Sequence, residues 1–262
     1  MNMIPNNNNH LSMNNFTKTT LILFAALGLV SCAKAQIPYP CETFETPAGK
    51  TLKVYLVAHG SLAFSYDGYE IQIDPVGKNG AAPLDYSAFP KADAILVTHE
   101  HFDHLDKKVI DKLSKEGTLV LANKKSVEQL GNGIGMSNGD ERELTKSIRL
   151  RAVPAYNTTA GHLKFHPKGN GNGYVLDFDG FTVYVSGDTE VIDEMSELGK
   201  IDVAFLSTNQ PYTMTPEQCV TAAQTIQPKV LIPYHLGNTK TEAIREGLKD
   251  SGIEVRLFDV LR

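Results

Sequence analysis

The 262-residue sequence has no cluster of basic residues, only three cysteines and no apolar run long enough to cross a bilayer. Its 25 basic residues are scattered among 30 acidic ones, for a formal net charge of −5. This distribution lacks the positive patch that nucleic-acid binding needs, so we predict no nucleic-acid partner. With 42% apolar residues the chain can bury a sizeable core, which predicts a globular protein.

The N-terminus has the layout of an export signal. Lys18 precedes the apolar run Leu21–Val30, which is about half the length of a membrane span. Met13 is an alternative start, because residues 1–12 add nothing that a signal needs. We therefore predict a signal peptide over residues 1–31 and an exported, periplasmic or membrane-anchored protein in a bacterium.

Two processing sites fit the end of this signal. Leu29–Cys32 resembles a bacterial lipobox, which would make Cys32 the lipid-anchored first residue of a mature lipoprotein. The alternative is cleavage after Ala33–Ala35, which would release a soluble protein beginning at Gln36. Residues 32–50, rich in proline, are predicted to be a linker before a domain over residues 51–262.

The two cysteines outside the leader are Cys41, in the predicted linker, and Cys219, in a predicted helix. A disulfide between them is possible in an exported protein. The pattern favours a lone surface thiol at Cys41 and a small buried residue at Cys219.

Beyond residue 50, short β-rich runs alternate with helical patterns, which predicts an α/β fold. The predicted strands are Leu52–Val57, Leu62–Tyr66, Glu70–Ile73, Ala94–Thr98, Thr118–Leu121, Ile148–Val153, Tyr174–Phe178, Thr182–Val185, Val203–Leu206, Val230–Pro233 and Glu254–Phe258. The predicted helices are Leu105–Lys115, Lys124–Leu130, Val191–Leu198, Pro216–Ile226 and Thr241–Asp250.

Two parts of the sequence are similar to each other. SYDGYEIQIDP (65–75) and LDFDGFTVYVSGD (176–188) both place an Asp-Gly turn between alternating strands. KADAILVTHEH (91–101) and KIDVAFLSTNQ (200–210) then follow at a similar distance. This internal duplication predicts two half-domains, near 51–145 and 146–262, which pack sheet to sheet as a four-layer αββα sandwich.

The stretch THEHFDHLD (98–106) holds three of the eight histidines directly after the apolar run Ala94–Val97. A strand buried on both faces is followed, in open α/β sheets, by a loop that carries the chemistry. We expect Asp103 to begin a helix that His104 enters. Imidazoles and carboxylates in this order predict a site for Zn²⁺, with Mn²⁺ or Fe²⁺ as alternatives.

HEHFDHLD (99–106) matches the H-x-H-x-D-H signature of the metallo-β-lactamase superfamily, and the resemblance extends over nearly all of residues 51–262. Within that superfamily the sequence is most similar to the branch around the ascorbate-6-phosphate lactonase. The other segments that carry the resemblance are AHGSLAF (58–64), IDP (73–75), AVPAYN (152–157), HPKGNGNGYVL (166–176), VYVSGDTE (183–190), QPYTMTPEQ (210–218) and IPYHLG (232–237).

The resemblance implies two divalent metal ions, most simply zinc. It assigns His99, His101 and His166 to one metal and Asp103, His104 and His235 to the second, with Asp188 as the bridge. The alternative to His166 is His162, which we expect to be a solvated loop residue because His166 borders a glycine-rich turn.

Four further residues are candidates for contact with ligands or substrate. Asp74 resembles the acid that orients the metal loop, and His59 is either a pocket residue or a buried, hydrogen-bonded histidine. Asn172 and Tyr212 lie in loops that should border the pocket. Tyr212 has an alternative role in turning the chain toward the helix at Pro216.

The resemblance implies a hydrolase in which a metal-bridged hydroxide attacks an ester, lactone or phosphodiester bond of a small polar substrate, with Asp188 and Asp103 as catalytic residues. Asp103 could accept the proton of the attacking water, and Lys168 could bind a phosphate. One alternative is a phospholipase or phosphodiesterase that acts on envelope lipid or nucleotide. The other is a non-catalytic, exported metal-binding lipoprotein.

Overall fold

A computed structural model describes residues 36–262. The predicted signal peptide and Cys32 lie outside this range. The first half of the chain forms a seven-stranded sheet, with strands in the spatial order β1-β2-β3-β4-β7-β8-β9. These strands are β1 (Cys41–Glu45), β2 (Thr51–Ala58), β3 (Ser61–Tyr66), β4 (Tyr69–Ile73), β7 (Ala94–Val97), β8 (Leu119–Ala122) and β9 (Ile134–Gly135). A small ribbon of β5 (Lys78–Asn79) and β6 (Ala82–Pro83) interrupts the order.

The second half forms another seven-stranded sheet, in simple sequential order. Its strands are β10 (Glu141–Thr145), β11 (Ile148–Ala155), β12 (Gly171–Phe178), β13 (Phe181–Val185), β14 (Val203–Ser207), β15 (Val230–Tyr234) and β16 (Glu254–Val255). In each sheet the first four strands pair antiparallel and the rest pair parallel. The shared topology confirms the predicted duplication.

Helices cover the outer face of each sheet. They are α1 (Lys107–Leu113), α2 (Lys124–Leu130), α3 (Pro216–Ile226) and α4 (Glu242–Leu248), with short 3-10 helices at Asp193–Glu197 and Asp259–Leu261. Apolar residues of α1 and α2 pack on the first sheet, and those of α3 and α4 pack on the second. Among residues 36–262, none of the helices is long and apolar enough to span a bilayer.

The main core lies between the two sheets. Phe64 of β3 lies 6.0 Å from Phe178 of β12 and 6.4 Å from Phe205 of β14, measured between ring centroids. Because each inner face contributes a continuous apolar surface to this core, the layers run helix, sheet, sheet, helix. The predicted αββα sandwich is confirmed.

Several predicted boundaries were wrong. Residues 41–45 of the predicted linker form β1, which pairs with β2. Residues 141–145, which we placed in the first half, form the edge strand β10 of the second sheet. Both are edge strands with mostly exposed side chains, so their sequences carry no buried apolar pattern. Cys41 is an exposed free thiol and Cys219 a buried one, as the pattern favoured.

The predicted glycine-rich turn is also different, because residues 171–173 extend strand β12. A Cβ at Gly173 would lie 2.8 Å from the carbonyl oxygen of Ser186. Glycine there allows β12 to pass close to the chain that follows β13.

Candidate metal centre

The loop after β7 carries four of the predicted donors. It leaves a strand that is buried on both faces and turns back through bonds from the amides of His104 and Leu105 to the carbonyl of His101. Helix α1 begins only at Lys107, where the Asp106 side chain accepts from the amides of Lys108 and Val109. Asp103 and His104 therefore lie in the turn before the helix, and the expectation that Asp103 begins it was wrong.

The second half supplies the remaining donors from the equivalent edge of its sheet. Asp188 follows β13, and His235 follows β15. His166 lies on the long connection between β11 and β12. Because the carboxyl ends of the parallel strands of both sheets meet at one edge, these side chains face the loop after β7.

Three histidine nitrogens converge at the first position. The Nε2 atom of His99 lies 3.0 Å from Nδ1 of His101, and a donor atom of His166 lies within 4.8 Å of both. Two nitrogens that bind the same ion, each at about 2 Å, are separated by roughly 3 Å. The spacing therefore matches a three-histidine metal position.

Asp188 lies between this trio and the second group of donors. Its Oδ2 atom is 3.3 Å from Nε2 of His166 and also 3.3 Å from Nε2 of His235, while its Oδ1 atom is 3.5 Å from Nε2 of His104. Asp103 Oδ2 is 3.6 Å from His235 Nε2 and 3.9 Å from His104 Nε2. One carboxylate thus faces both sets of nitrogens, as a bridging ligand must.

His59 joins the second group, although we had left it no ligand role. Its Nε2 atom lies 3.6 Å from Asp103 Oδ2, and its ring centroid lies 3.7 Å from that of His235. His59 and His235 both have left-handed backbone, with φ of 49° and 53°, and the amide of His235 donates to the carbonyl of His59. Such strain persists where the surrounding structure fixes it, which is typical of functional sites.

Asp74 and Thr98 orient the imidazoles of the loop after β7. The buried Asp74 carboxylate accepts from the Thr98 amide at 2.7 Å, from the Thr98 hydroxyl at 2.6 Å and from His104 Nδ1 at 2.8 Å. The Thr98 oxygen lies 3.0 Å from His99 Nδ1 and can accept from it. Both imidazoles then present Nε2 to the centre, which supports the predicted role of Asp74.

His166 is oriented by groups from two other loops. Its Nδ1 atom lies 2.8 Å from Asn157 Oδ1 and 3.1 Å from the Tyr212 carbonyl oxygen. Both are acceptors, so Nδ1 carries the proton and Nε2 is free to bind a metal. Sequence reasoning missed this role of Asn157 and the role of Thr98, although both residues belong to motifs that we quoted.

His162 lies outside the donor set, but it is not the solvated loop residue we expected. Its Nδ1 atom is 3.1 Å from Oε1 of the buried Glu190, whose carboxylate also accepts from the amides of Thr158 and Thr159. His162 therefore helps to hold the loop that leads to His166.

Asn172 has a structural role. It is buried in β12, where its side-chain NH₂ group donates to the Met136 carbonyl and its backbone N–H donates to the Thr98 carbonyl. The predicted substrate contact is not supported, because these bonds join the two sheets behind the metal loop. Lys168 likewise donates to the hydroxyl of Tyr156 and the carboxylate of Glu194, both at 2.9 Å, so its ammonium is already paired.

The carboxylates and imidazoles of the site stabilise each other's charged forms. Burial alone would raise the pKa of the Asp188 carboxyl, but the imidazoles of His235 and His104 outweigh it and hold that pKa well below its ordinary value. Burial lowers the pKa of His104, yet the carboxylates of Asp188 and Asp74 outweigh it and raise that pKa well above its ordinary value. A metal ion that binds here would replace the imidazole protons as the positive charge that the buried carboxylates need.

The donor set also fits metal ions because several of its buried atoms have no hydrogen-bond partner among the described residues. His104 Nε2, His166 Nε2, His235 Nε2 and Asp188 Oδ1 are buried atoms with no hydrogen-bond partner among the described residues. Leaving a buried polar atom unpaired costs about 1–3 kcal/mol. All four belong to the converging donors, and a metal ion would satisfy each of them.

Comparison with known proteins agrees with this geometry. A family model described as a beta-lactamase superfamily domain matches residues 53–235. The chain belongs to the metallo-β-lactamase superfamily. The match spans both halves of the sandwich and every donor described above.

Relatives in this superfamily carry names that refer to metal-dependent hydrolysis. A metal-dependent hydrolase from Pyrococcus furiosus is 34% identical over 201 residues, which cover 70% of this chain and 84% of that protein. A structure from Parabacteroides distasonis, assigned as a metal-dependent hydrolase, is 49% identical with a TM-score of 0.81 and covers 85% of this chain and 99% of that one. A metallo hydrolase from Ignicoccus hospitalis shares the fold, with a TM-score of 0.67 at 23% identity over 80% of this chain and 96% of that one.

The assignment of His166 within this superfamily site is directly testable. We expect His166→Ala to weaken metal binding at the three-histidine position on the order of 100-fold, because it removes one of three nitrogens. We expect His162→Ala to bind metal as the wild-type protein does, since it removes only the pair with Glu190. Metal titration of each variant by calorimetry checks this, and loss of a metal from His162→Ala alone would reverse the assignment.

Gly60 matters because His104 packs against it. A Cβ at Gly60 would lie 2.8 Å from His104 Cε1, which is closer than such atoms approach. We expect Gly60→Ala to displace the imidazole and lower the affinity for metal at the position of His104 by roughly 10- to 100-fold. Gly135→Ala is the matched control, because nothing lies within 4 Å of a Cβ there. Equal metal titrations for the two variants would contradict the prediction.

Proposed function

We propose that this member of the superfamily is a binuclear metal-dependent hydrolase that cleaves an ester, lactone or phosphodiester bond in a small polar substrate. The observation that carries the proposal is the convergence of the seven assigned donors, with His59 beside them, at one edge of the sandwich, where several buried donor atoms have no hydrogen-bond partner among the described residues. Two divalent ions held there would supply an activated water and a Lewis acid for the bond that is attacked.

The donors divide the work by their position. His99, His101 and His166 would hold one ion, Asp103, His104 and His235 would hold the other, and Asp188 would join the two. Asp74, Thr98 and Asn157 fix the imidazole tautomers, so that the free nitrogens face inward before any metal arrives. This preorganisation lowers the entropic cost of assembling the site.

Asp103 is the donor best placed to move a proton. Its side chain is 32% exposed, whereas that of Asp188 is 3% exposed, so solvent reaches Asp103. Burial would raise its pKa, but His235 and His59 outweigh burial and lower the pKa below the ordinary value. Asp103 is therefore an ionised carboxylate at neutral pH, which suits a metal ligand but makes it a weak base. Proton transfer to it would depend on a bound metal lowering the pKa of the attacking water.

The surroundings of the centre favour an ester or lactone over a phosphodiester. A phosphate is commonly bound by free Arg or Lys side chains. Lys168, the residue that sequence suggested for this task, is instead paired with Glu194 and Tyr156.

Turnover of a substrate panel tests the proposal. Purified protein would be stripped of metal, reloaded separately with Zn²⁺, Mn²⁺ or Fe²⁺, and assayed with p-nitrophenyl acetate, γ-butyrolactone, bis-p-nitrophenyl phosphate and a β-lactam. We expect metal-dependent hydrolysis of the ester or lactone, and none by the stripped protein. Full metal loading without turnover of any substrate class would contradict the hydrolase and favour the non-catalytic metal-binding lipoprotein.

We also propose that the protein is exported, on the support of the signal-like segment Leu21–Cys32. Mass spectrometry of bacterial membrane and soluble fractions tests this. A mature N-terminus at a lipid-modified Cys32 or at Gln36 is the expected result. An intact N-terminus at Met1 or Met13 in the cytoplasm would contradict it.

A further inference from the structure

The exposed large apolar side chains of the described residues all lie on loops that carry or contact the candidate metal ligands. Among residues 36–262, three such side chains are exposed: Phe102 at 85%, Leu163 at 51% and Tyr212 at 45%. A single exposed apolar residue is ordinary on a protein surface. Three that all belong to the same functional region need an explanation.

Each of the three lies on a loop that carries or contacts metal ligands. Phe102 stands between the ligands His101 and Asp103. Leu163 lies three residues before His166, and the carbonyl oxygen of Tyr212 accepts from His166 Nδ1 at 3.1 Å. We name Phe102, Leu163 and Tyr212 together the apolar rim.

The loop that carries Leu163 is held in place by specific bonds. Glu190 accepts from the amides of Thr158 and Thr159 at 2.7 and 2.6 Å, and from His162 at 3.1 Å. The ring of Phe165 then packs edge to face on Tyr212, with centroids 5.0 Å apart. Leu163 and Tyr212 are thus presented on fixed loops next to the metal centre.

Three lysines that belong to these loops or contact them are already engaged. Lys168 is bound by Glu194 and Tyr156, and Lys125 pairs with Glu100 at 3.3 Å. The ammonium of Lys164 lies 5.2 Å from the centroid of the Phe165 ring. An apolar surface with paired charges suits an uncharged hydrocarbon group better than an anion.

We propose that the apolar rim binds the hydrocarbon part of the substrate, so that the substrate is not polar throughout: it is an ester or lactone with a polar reacting end and a medium-length acyl chain. This rests on the proposed function, because it places the scissile bond at the metal centre beside Phe102. The polar part of the substrate faces the ligands, and the acyl chain lies over Phe102, Leu163 and Tyr212.

Binding of two metal-chelating probes tests the proposal without requiring turnover. Acetohydroxamate and octanohydroxamate share the chelating group and differ by six carbons in chain length. Burial of one methylene strengthens binding about fourfold, so burial of three should make octanohydroxamate bind about 60-fold more tightly. Calorimetry on the zinc-loaded protein measures the ratio of the two dissociation constants.

Variants locate the effect. Phe102→Ser, Leu163→Ser and Tyr212→Ser should each lower that ratio by at least about threefold, as the loss of part of the apolar contact requires. Glu246→Ser, on the exposed face of α4, is the control and should leave the ratio unchanged. Metal content measured on each variant separates loss of apolar contact from loss of the site.

The outcomes separate this proposal from the proposed function. Equal affinity for the two hydroxamates, including no binding of either, would overturn the apolar rim as a substrate site. A ratio that the three serine variants leave unchanged would overturn it too. Chain-length selectivity without hydrolysis of any ester would keep the rim and reject the hydrolase. Sedimentation with phosphatidylcholine vesicles that depends on the rim, without chain-length selectivity, would assign it to a lipid surface and overturn the proposal.

Discussion

Asp188→Ala is expected to abolish binding of both metal ions and to lower kcat/KM on the order of 10⁴-fold or more. The reason is geometric, because Asp188 is the one carboxylate of residues 36–262 that lies within 3.3 Å of both His166 and His235. Its removal takes away the group that links the two positions and the buried negative charge that favours cations. Elemental analysis and the ester assay on the purified variant check the prediction.

Asp202→Ala is the matched control for that variant. Asp202 is equally buried and belongs to the same sheet, but it precedes β14 at the opposite edge and is paired with Lys200 and Lys229. Its loss should lower the free energy of unfolding and leave the metal content at the wild-type value. Metal retention in Asp188→Ala, or metal loss in Asp202→Ala, would show that the bridge is misassigned.

Asp74→Asn is expected to remove the second metal while the fold survives. The Asn oxygen can still accept from the Thr98 amide, and Asn tolerates the left-handed backbone of residue 74, where φ is 45°. Its NH₂ group, however, would face His104 Nδ1, which would then have to act as an acceptor. The proton would move to Nε2, the atom needed for the metal.

Asp74→Ala separates the contribution of that carboxylate to stability from its role in setting the His104 tautomer. It leaves His104 and Thr98 buried without their partner, and removal of one member of a buried pair costs about 3–5 kcal/mol. We therefore expect a large loss of stability from Ala and a smaller one from Asn, with the second metal absent from both. Urea unfolding with metal analysis measures this, and a second metal bound normally by Asp74→Asn would refute the tautomer argument.

The donors that converge in the structure could be picked out from the sequence because they belong to short, contiguous motifs. HEHFDHLD alone supplies four donors, and the strand before it is buried on both faces, as its apolar run predicts. The duplication was also readable, because the two Asp-Gly turns precede equivalent strands of the two sheets. Local patterns of this kind survive in a single sequence.

Features that depend on tertiary contacts were not readable. His59 approaches Asp103 and His235 only because the two halves pack together, and no spacing in the sequence brings those three together. Asn172 resembled a loop residue in the sequence. Gly173 beside it, however, lets β12 pass close to the chain at Ser186, and Asn172 is buried there. The edge strand β10 has largely exposed side chains, so its sequence resembles a loop.

The exposure of the apolar rim was also not readable from the sequence. Phe102 is an apolar residue within a polar motif, and sequence alone does not reveal whether such a residue is buried. The structure leaves it 85% exposed beside two ligands. Exposure and position together turn an unremarked residue into evidence about the substrate.

The metal content of the purified protein tests the proposed binuclear centre most directly. The protein would be saturated with Zn²⁺, dialysed, and analysed by inductively coupled plasma mass spectrometry against its own concentration. We expect about two ions per chain, held by the seven assigned donors of the two positions. A chain that binds no metal, or saturates at one, would contradict the binuclear site.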